Sequence, residues 1–510
     1  MFYKAKNIDC SKAGFFRFRK LKNKYLLTND AGDHILLTPA EFSRLATGKP
    51  EKNPAKRKEM AKKCFLLAGA DWESNIEKYR QRKQYLFSGP SLHIVVLTLR
   101  CNYSCLYCQT SSKKAKRNEF DMDLGAAKKV VDFIFNSPNK YIAIEFQGGE
   151  PLLNWPVVKF IVEYAKEKNK EFKKNLELRL VSNFSLMDDE KMKFFFKNGV
   201  TLCTSLDGPE NIHNKNRPFA AGSSYKETTK WLERALKTYW RYEKYKNKKY
   251  FAQPGALVTI SRYSLPYYKE IINEYADREL EVIFLRPLVP LGVARKSWPA
   301  IGYSAQEFID FYKKSINYIF ELNKKGKKIR EYNAAIVAAK ILTENDPNYL
   351  EMRSPCGAGI GQLAYDYNGD IYTCDEGRMV GNMGDDIFKL GSVWKNNYNE
   401  IIESPVVKTM CLASETSSLP GCSDCAYQPY CGVCPIYNYA ASGNIFGQQP
   451  ASARCQINKA IFDLIFGLLQ NKNYRKMLEE WAVVADPSWI KNRASKIRRR
   501  LRAKNRPDKK

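Results

Sequence analysis

The chain has 510 residues, of which 44% are hydrophobic, and its formal net charge is +30. A chain of this length can bury a large core and is expected to divide it between two or three domains. No apolar run reaches the roughly 18 residues that span a bilayer, and the longest candidate, Ile461 to Leu469, is much shorter. The composition therefore excludes a membrane-spanning protein.

The 14 cysteines indicate metal binding rather than a disulfide framework. Disulfide-rich chains are usually small and secreted, whereas this chain is long and begins with polar and charged residues that do not resemble a signal peptide. We therefore expect a cytoplasmic protein that uses most of its cysteines as metal ligands. Cys10, Cys64 and Cys203 lack metal-like spacing and are predicted to be buried apolar residues.

Residues 1–85 are predicted to form a small N-terminal domain. Strand-like stretches cover Phe16–Leu21, Tyr25–Thr28 and Ile35–Leu37. A short helix follows from Pro39, because proline is favoured at the first helical position. Strands followed by helices resemble the small winged-helix-like domains that capture the leader of a precursor peptide as an added edge strand. The alternative is an ordinary N-terminal cap.

Residues 86–300 alternate between strand-like and helix-like segments. The strand-like segments are Leu92–Leu99, Tyr141–Phe146, Leu176–Val181, Thr201–Leu206, Gly255–Ile260 and Val282–Leu288. Amphipathic or charged helices are predicted between them, at Leu124–Phe135, Val157–Lys168, Asp188–Asn198 and Tyr225–Tyr242. This alternation is typical of βαβ units with a parallel sheet, so the predicted fold class is α/β.

Three cysteines directly after the first predicted strand, Cys101, Cys105 and Cys108, have the spacing CxxxCxxC. Iron–sulfur clusters normally take four thiolates, so a set of three leaves one iron open to a substrate or cofactor. The alternative is a structural zinc site completed by His93 or Cys203, although such sites usually show paired CxxC knuckles.

A second motif, Gln147-Gly-Gly-Glu-Pro151, follows the second predicted strand. Together with the cysteine spacing, it resembles the radical S-adenosylmethionine (SAM) enzymes. The resemblance implies a partial (β/α)6 TIM-type barrel and a [4Fe–4S] cluster that binds SAM. It also implies a set of SAM-binding residues: Tyr107 beside the adenine, Glu150 opposite the methionyl ammonium, and Gln147, Gly148, Gly149 and Pro151 in the motif. We expect the two glycines to let the cofactor approach the backbone closely.

Polar residues also follow the third and fourth predicted strands, where barrels carry their chemistry. Ser182 follows the third strand, and Asp207-Gly-Pro, His213 and Arg217 follow the fourth. This order is similar to that of peptide- and sulfatase-modifying radical SAM enzymes. The resemblance implies that Ser182 and Arg217 contact the ribose and carboxylate of SAM. The alternative is an Asp-Gly-Pro turn with an ordinary surface arginine.

The second cysteine set lies in residues 351–460 and contains Cys356, Cys374, Cys411, Cys422, Cys425, Cys431, Cys434 and Cys455. Its spacing is similar to that of the SPASM/twitch domain, a C-terminal cysteine-rich domain with two auxiliary [4Fe–4S] clusters. By that resemblance one cluster is held by Cys422, Cys425, Cys431 and Cys455, and the other by Cys356, Cys374 and Cys434. Either Cys411 completes the smaller set or that cluster keeps an open iron. Two four-thiolate zinc sites are the alternative.

Asp375 directly follows Cys374. In the anaerobic sulfatase maturases the aspartate at the matching place takes a proton from the substrate side chain. That resemblance implies a general base at Asp375. The alternative is an exposed Asp375-Glu376 pair after a turn.

Over nearly the full length the motifs resemble SPASM-type peptide maturases, and most closely those of His-Xaa-Ser peptide systems. The resemblance implies that reduced cluster and SAM yield a 5'-deoxyadenosyl radical, which abstracts hydrogen from a ribosomally made precursor peptide. Besides that peptide, it implies an electron donor (flavodoxin or ferredoxin) and a second radical SAM maturase as partners. Two other functions stay open: a sulfatase-type maturase that oxidises Cys or Ser to formylglycine, and a zinc-dependent nucleic-acid-binding protein.

The remaining segments are a predicted helical linker at 301–350 and a helix with a basic tail at 461–510. Eleven of the last twenty residues, Lys491 to Lys510, are Lys or Arg. Such a tail can contact nucleic acid, an acidic peptide or a partner protein. Other lysine-rich stretches, such as Lys237 to Lys249, are predicted to be solvated helix faces. The Gly-Gly-Glu-Pro motif argues against a pure binding module, so nucleic acid is not the expected partner.

Overall fold

The computed structural model describes residues 9–114, 118–245, 252–343, 346–347 and 352–484. The basic tail from Lys491 to Lys510 lies outside the described residues. So do residues 246–249 of the lysine-rich stretch that begins at Lys237. Within these ranges, no helix is both long enough and apolar enough to cross a membrane.

The N-terminal domain has the strands and the helix that the sequence predicts. Its antiparallel sheet contains β1 (Arg17–Leu21), β2 (Lys24–Thr28) and β3 (His34–Leu37), in that order. Three helices follow: α1 (Pro39–Ala46), α2 (Pro54–Lys62) and α3 (Trp72–Lys83). Helix α1 begins at the predicted proline because Thr38 and Glu41 form a capping box, in which each side chain accepts the backbone N–H of the other.

Parallel strands separated by helices form the central sheet. The strands are β4 (Leu92–Val96), β5 (Tyr141–Gln147), β6 (Asn175–Val181), β7 (Val200–Ser205) and β8 (Gly255–Ile260), and the sixth predicted strand is divided into β9 (Val282–Ile283) and β10 (Leu285–Pro287). The helices between them are α4 (Leu124–Phe135), α5 (Trp155–Phe172), α6 (Asp189–Asn198), α7 (Glu210–Asn216), α8 (Ser224–Tyr245) and α9 (Tyr268–Ala276). This arrangement confirms the predicted α/β partial barrel.

Two strands differ from their predicted bounds. Strand β4 ends at Val96 rather than at Leu99, because the backbone beyond it turns toward the segment that follows β5. The predicted strand Val282–Leu288 is interrupted at Phe284. Its first part pairs with β11 (Arg330–Glu331), whereas its second part pairs with β8. Two different partners require a bend between the two parts.

The C-terminal region extends the same sheet, which the sequence does not predict. Strand β12 (Gln362–Tyr365) lies parallel to β4, and β13 (Asp370–Tyr372) and β14 (Lys389–Ser392) continue the sheet in antiparallel pairs. The helices of this region are α13 (Asp375–Gly381), α14 (Tyr398–Ile402), α15 (Pro405–Leu412) and α16 (Pro435–Ser442). The cysteine-rich region is therefore hydrogen-bonded to the strand that precedes Cys101.

The predicted linker and the C-terminal helix are parts of the main core. Three helices, α10 (Val293–Ile301), α11 (Ala305–Lys324) and α12 (Tyr332–Leu342), lead from the barrel to the cysteine-rich region. Two more, α17 (Ala453–Leu468) and α18 (Lys472–Val484), follow it. Helix α12 packs against α18, and α11 packs against α17. Buried side chains of these four helices belong to the same apolar core as the barrel strands.

Candidate functional site

The first cysteine set lies in the loop after β4, at the carboxyl end of the parallel sheet. The backbone of this loop is held from the far side of the barrel, where Val293 N–H donates to Cys108 O at 2.8 Å. Burial, and then the neighbouring thiols, raise the pKa of Cys101, and burial raises that of Cys105 to about 12. A coordinated metal deprotonates a thiol outright, so this group of three partly buried thiols fits metal ligation.

Gly148 and Gly149 lie directly against the start of the cysteine loop. A Cβ atom on Gly149 would lie 2.2 Å from Arg100 O, and one on Gly148 would lie 2.4 Å from Thr98 O. Two backbone hydrogen bonds join the same segments, from Gly149 N–H to Thr98 O and from Glu150 N–H to Arg100 O, both at 2.8 Å. The chain itself therefore makes a close approach at both positions, and this approach requires glycine.

Glu150 is fully buried, and its carboxylate accepts three hydrogen bonds. The donors are Ser182 Oγ at 2.7 Å, Asn183 N–H at 2.8 Å and Leu152 N–H at 3.0 Å. Burial outweighs these donors and raises the pKa of Glu150 to about 7. A cation brought to this carboxylate would restore its ionised form, which fits an ammonium partner. Ser182, predicted as a SAM contact, orients Glu150.

Arg217, Asp207 and Tyr107 form a buried polar group beside Cys105. The guanidinium donates to both oxygens of Asp207, through Nε at 3.0 Å and Nη2 at 3.3 Å. The Tyr107 hydroxyl donates to the same carboxylate, and Arg217 Nη1 lies 3.9 Å from Cys105 Sγ. The alternative of an ordinary surface arginine is wrong, because Arg217 is only 9% exposed.

Tyr107, Gln147 and Pro151, which are predicted to bind SAM, make further contacts within the chain. The ring of Tyr107 packs in an apolar cluster with Leu288 and Ala294, and the guanidinium of Arg217 lies 5.2 Å from its centre. The side chain of Gln147 donates to Glu145 Oε1 at 2.7 Å. Pro151 is buried and begins a short 3-10 turn, Pro151–Asn154.

Cys356, Cys374 and Cys434 are brought together by the fold of the C-terminal region. All three are 4 to 6% exposed and share one apolar cluster. Burial raises the pKa of Cys374, and the other two thiols contribute to that rise. Cys374 Sγ accepts from Gly377 N–H and Cys434 Sγ accepts from Tyr437 N–H, both at 3.4 Å, at the starts of α13 and α16. A helix N-terminus favours a thiolate.

Cys411 lies on α15 and is only partly buried. Burial, and then the Glu415 carboxylate, raise its pKa. Cys411 is not among the residues of the apolar cluster described for the other three cysteines.

A second group is formed by Cys422, Cys425, Cys431 and Cys455. Burial raises the pKa of Cys431 to about 12, and the other three thiols contribute to that rise. Unlike the first C-terminal group, all four residues are partly exposed. Tyr427 N–H donates to Cys425 Sγ at 3.5 Å, and Asn458 Nδ2 donates to Cys431 Sγ at 3.8 Å. The structure thus gathers both C-terminal cysteine sets in the combinations that the resemblance implies.

Asp375 is paired with a buried arginine. Asp375 is 8% exposed, and its Oδ1 accepts from Arg378 Nε at 3.0 Å and Nη2 at 2.7 Å. The alternative of an exposed Asp375-Glu376 pair is wrong, because Glu376 is also largely buried and lies 3.4 Å from Arg286. Asp375 lies near the barrel strands. Burial raises the pKa of Glu145 on β5, and the Asp375 carboxylate adds to that rise.

The cysteines outside the metal-like sets have three different environments. Cys64 is buried, as predicted, at 2% exposure. Cys10 is exposed, contrary to the prediction, because it lies in a surface turn before β1. Cys203 is partly exposed on β7, and its charged neighbours are Glu145 and Arg179.

The barrel strands β5 and β6 have a polar face that the sequence analysis did not predict. Glu145 and Gln147 alternate with buried residues on β5, and Glu177 and Arg179 do the same on β6. Arg179 Nη2 lies 2.7 Å from Glu177, while its Nη1 lies 3.9 Å from Glu145. The period of two in each strand was the signal for a second, polar face.

The zinc site completed by His93 or Cys203 does not form. His93 is buried, with Nδ1 3.0 Å from the Tyr365 hydroxyl, and Cys203 lies on β7 beside Glu145. Across the part of the chain that the structure describes, no three His, Cys, Asp or Glu side chains are grouped to hold one metal ion. In a [4Fe–4S] cluster each thiolate binds a different iron, so its ligands stand farther apart than those of a single ion.

The barrel segment that carries these groups matches a known family. Residues 95–242 fit the model of the radical SAM superfamily. This segment is a radical SAM domain, and the protein is an enzyme. The matched segment contains the first cysteine set, Glu150 and the Arg217–Asp207 pair. The match therefore favours an enzyme over the alternative of a zinc-dependent nucleic-acid-binding protein. A radical SAM enzyme uses a [4Fe–4S] cluster and SAM.

The chain is similar in sequence and fold to maturation enzymes. It is 24% identical over 325 residues to the cysteine-type anaerobic sulfatase-maturating enzyme of Clostridium perfringens. The aligned residues cover 62% of this chain and 80% of the relative. The solved structure of native anSMEcpe with bound AdoMet has a TM-score of 0.62 at 19% identity and covers 76% of this chain and 100% of that one. Streptococcus suis SuiB bound to precursor peptide SuiA has a TM-score of 0.50 at 12% identity, covering 86% and 98%. These structures share its fold.

Proposed function

We propose that this radical SAM enzyme modifies a peptide and that the first cysteine set is its catalytic centre. One observation carries the proposal: the cysteine loop, the buried Glu150 and the Arg217–Asp207 pair meet at the carboxyl end of the sheet. Glu150 is joined to the cysteine loop through backbone hydrogen bonds, and Arg217 reaches Cys105 directly. The charged groups and the thiols are therefore held in one rigid unit.

Cys101, Cys105 and Cys108 would hold a [4Fe–4S] cluster and leave one iron for SAM. SAM bound there supplies a 5'-deoxyadenosyl radical when one electron is delivered. Glu150 receives the methionyl ammonium, and Ser182 keeps the Glu150 carboxylate oriented. Arg217 places a positive charge beside the Cys105 sulfur.

The two C-terminal cysteine groups would hold two auxiliary [4Fe–4S] clusters. Cys422, Cys425, Cys431 and Cys455 supply four thiolates, and Cys356, Cys374 and Cys434 supply three. Because the segment from Cys422 to Cys434 contributes cysteines to both groups, the two sites are expected to fold together. Asp375, which follows Cys374 and lies near Glu145, is the proposed acceptor of a substrate proton.

The proposed substrate is a ribosomally made precursor peptide, of the His-Xaa-Ser type. The three-stranded sheet of the N-terminal domain has β1 and β3 as its outer strands, and an extended peptide can add to an outer strand. SuiB, whose solved structure includes precursor peptide SuiA, is similar in fold. A flavodoxin or ferredoxin as electron donor and a second radical SAM maturase complete the proposed system.

A sulfatase-type maturase is the second candidate function. It is favoured by the 24% identity to the cysteine-type sulfatase-maturating enzyme of Clostridium perfringens. Such an enzyme would use the same cysteine sets to oxidise a Cys or Ser side chain to formylglycine. The two candidates differ in their need for a leader segment, which only a precursor-peptide maturase requires.

The first test measures 5'-deoxyadenosine released from SAM by the reduced, anaerobically reconstituted full-length protein. Wild type should release it and Cys105→Ala should not, while Cys10→Ala, which changes an exposed cysteine outside all three sets, should match wild type. Equal release by Cys105→Ala would disprove the proposed centre. Mass spectrometry of a precursor peptide and of a sulfatase-derived peptide, each incubated with the enzyme, then separates the two candidate functions.

A further inference from the structure

The N-terminal domain holds the loop that carries Cys422, Cys425 and Cys431. Three of its side chains donate to backbone carbonyls of this loop: Thr28 Oγ1 to Ala426 O at 2.7 Å, Arg82 Nη1 to Pro429 O at 3.3 Å, and Arg17 Nε to Ser423 O. In return, the Tyr430 hydroxyl donates to Gly32 O at 2.9 Å. Buried and partly buried carbonyls need such partners, so the loop takes its shape from a domain that lies far from it in the sequence.

Arg19 on β1 extends this contact toward the cysteine sulfurs. Its guanidinium pairs with Asp463 on α17 through two parallel hydrogen bonds, Nε to Oδ1 and Nη2 to Oδ2, both at 2.9 Å. The Tyr427 hydroxyl donates to the same carboxylate, and Arg19 lies 5.5 Å from the centre of the Tyr427 ring. Tyr427 N–H in turn donates to Cys425 Sγ at 3.5 Å. Arg19 therefore orients the residue that binds this sulfur.

The charge of Arg19 lies close to the cysteine loop. Its guanidinium is 5.5 Å from the centre of the ring of Tyr427, the residue whose N–H donates to Cys425 Sγ at 3.5 Å. The side chains of Arg19 and Asp463 are 40% and 34% exposed, so solvent screens their charges only in part. Net charge and hydrogen bonds at the sulfurs set the reduction potential of a cluster. A positive charge favours the reduced form, which carries one more electron.

We propose that Arg19 is a positioning residue for an iron–sulfur cluster at Cys422, Cys425, Cys431 and Cys455, and that its charge raises the reduction potential of that cluster. This inference rests on the auxiliary-cluster assignment made in the proposed function. Because Arg19 belongs to an outer strand of the domain proposed to receive the peptide, it couples that domain to an electron-accepting site.

The test is a redox titration of the reconstituted full-length protein, followed by electron paramagnetic resonance. Arg19→Gln removes the positive charge and leaves Asp463 unpaired, so the potential of one cluster should fall. A tenfold change in the one-electron equilibrium constant, about 59 mV, is the expected size. Asp463→Asn removes the negative charge and should raise the same potential. The signal is assigned to this site by its loss in Cys422→Ala.

Arg44→Gln is the matched control, because it breaks an ion pair with Glu51, at 3.0 Å, elsewhere in the same domain. It should leave every potential unchanged. Shifts of opposite sign in Arg19→Gln and Asp463→Asn support the proposal. Shifts of the same sign, or none, overturn it, because a merely structural disturbance has no reason to follow the sign of the removed charge.

Iron content separates loss of the site from a change in its potential. If Arg19→Gln has lost iron, Arg19→Lys is measured, since lysine keeps the charge but lacks the planar fork of arginine. A wild-type potential in Arg19→Lys supports the charge argument. A potential about 59 mV below that of wild type overturns the argument. If wild-type protein shows no signal that Cys422→Ala removes, the auxiliary-cluster assignment itself fails, and this inference fails with it.

Discussion

Arg217 and Asp207 form a buried ion pair directly beside a cysteine of the first set. Arg217 Nε lies 3.0 Å from Asp207 Oδ2, and the two side chains are 11% and 0% exposed. Asp207 also accepts from Thr259 N–H at 3.2 Å and from the Tyr107 hydroxyl. The pair therefore fastens the end of β7 to β8 and to the cysteine loop.

Loss of Arg217 should destabilise the protein strongly. Arg217→Gln is expected to lower the free energy of unfolding by about 3–5 kcal/mol, because it leaves a buried carboxylate without its cation. Arg234→Gln is the control, since its pair with Asp189 is 52% and 66% exposed and such pairs contribute about 0–1 kcal/mol. Chemical denaturation of the metal-free protein measures both. Similar losses in the two variants would contradict the role of burial.

Gly149→Ala should displace the cysteine loop. The added methyl group would lie 2.2 Å from Arg100 O, and forcing atoms into a packed site costs about 1–3 kcal/mol. We expect lower iron binding at the first cysteine set together with that loss of stability. Gly467→Ala is the control, because nothing lies within 4 Å of its added Cβ. Normal iron content in Gly149→Ala would show that the loop tolerates the shift.

Glu150 should make the stability of the metal-free protein depend on pH. Burial raises its pKa from 4.5 to about 7 in the folded state. A carboxyl whose pKa is raised by folding contributes stability that is fully present below the unfolded value and lost as the pH rises through the folded value. At about 1.4 kcal/mol per unit of pKa, the free energy of unfolding should fall by about 3 kcal/mol between pH 4.5 and 7.

The comparison variant for this pH dependence is Glu150→Gln. Its stability relative to wild type should improve with rising pH across this window, as measured by denaturation at four pH values. Glu331, whose pKa burial also raises to about 7, contributes equally to both proteins and cancels in the difference. A difference that does not change with pH would refute the assignment to Glu150.

The two C-terminal cysteine groups predict different effects of cysteine replacement. Cys434→Ala removes a buried thiol from the group with Cys356 and Cys374, so the iron of one cluster should be lost. Cys411→Ala should keep its iron, because Cys411 lies on α15 and does not belong to that apolar cluster. Iron and sulfide analysis of the reconstituted proteins measures both. Iron loss in Cys411→Ala would instead identify Cys411 as a fourth ligand.

Local patterns in the sequence predicted most of the barrel. Helix α4 has the predicted bounds, because Asp123 caps its first turn and its apolar residues follow a helical period. The cysteine combinations of the C-terminal region also agree with those that the resemblance implies. These features depend on residues a few positions apart or on the order of motifs, and the sequence shows both directly.

The partners of the buried charged groups could not be predicted in this way. The sequence was equally consistent with Arg217 as a surface residue, whereas the structure pairs it with Asp207. Glu150 was identified by its motif, but its donors Ser182 and Asn183 come from the end of another strand. Burial decides the pKa of such groups, and burial depends on packing between distant segments.

The sequence alone determined the chemistry of this protein: which thiols are available, in what spacing, and after which strands of an α/β barrel. Only the tertiary structure decided how those groups are joined. Strand β12 pairs with β4, and Arg19 of β1 pairs with Asp463 of α17, so the barrel and the N-terminal domain both contact the cysteine-rich region. Periodicity reports neighbours within a few residues, whereas these contacts form only after the core has folded around them.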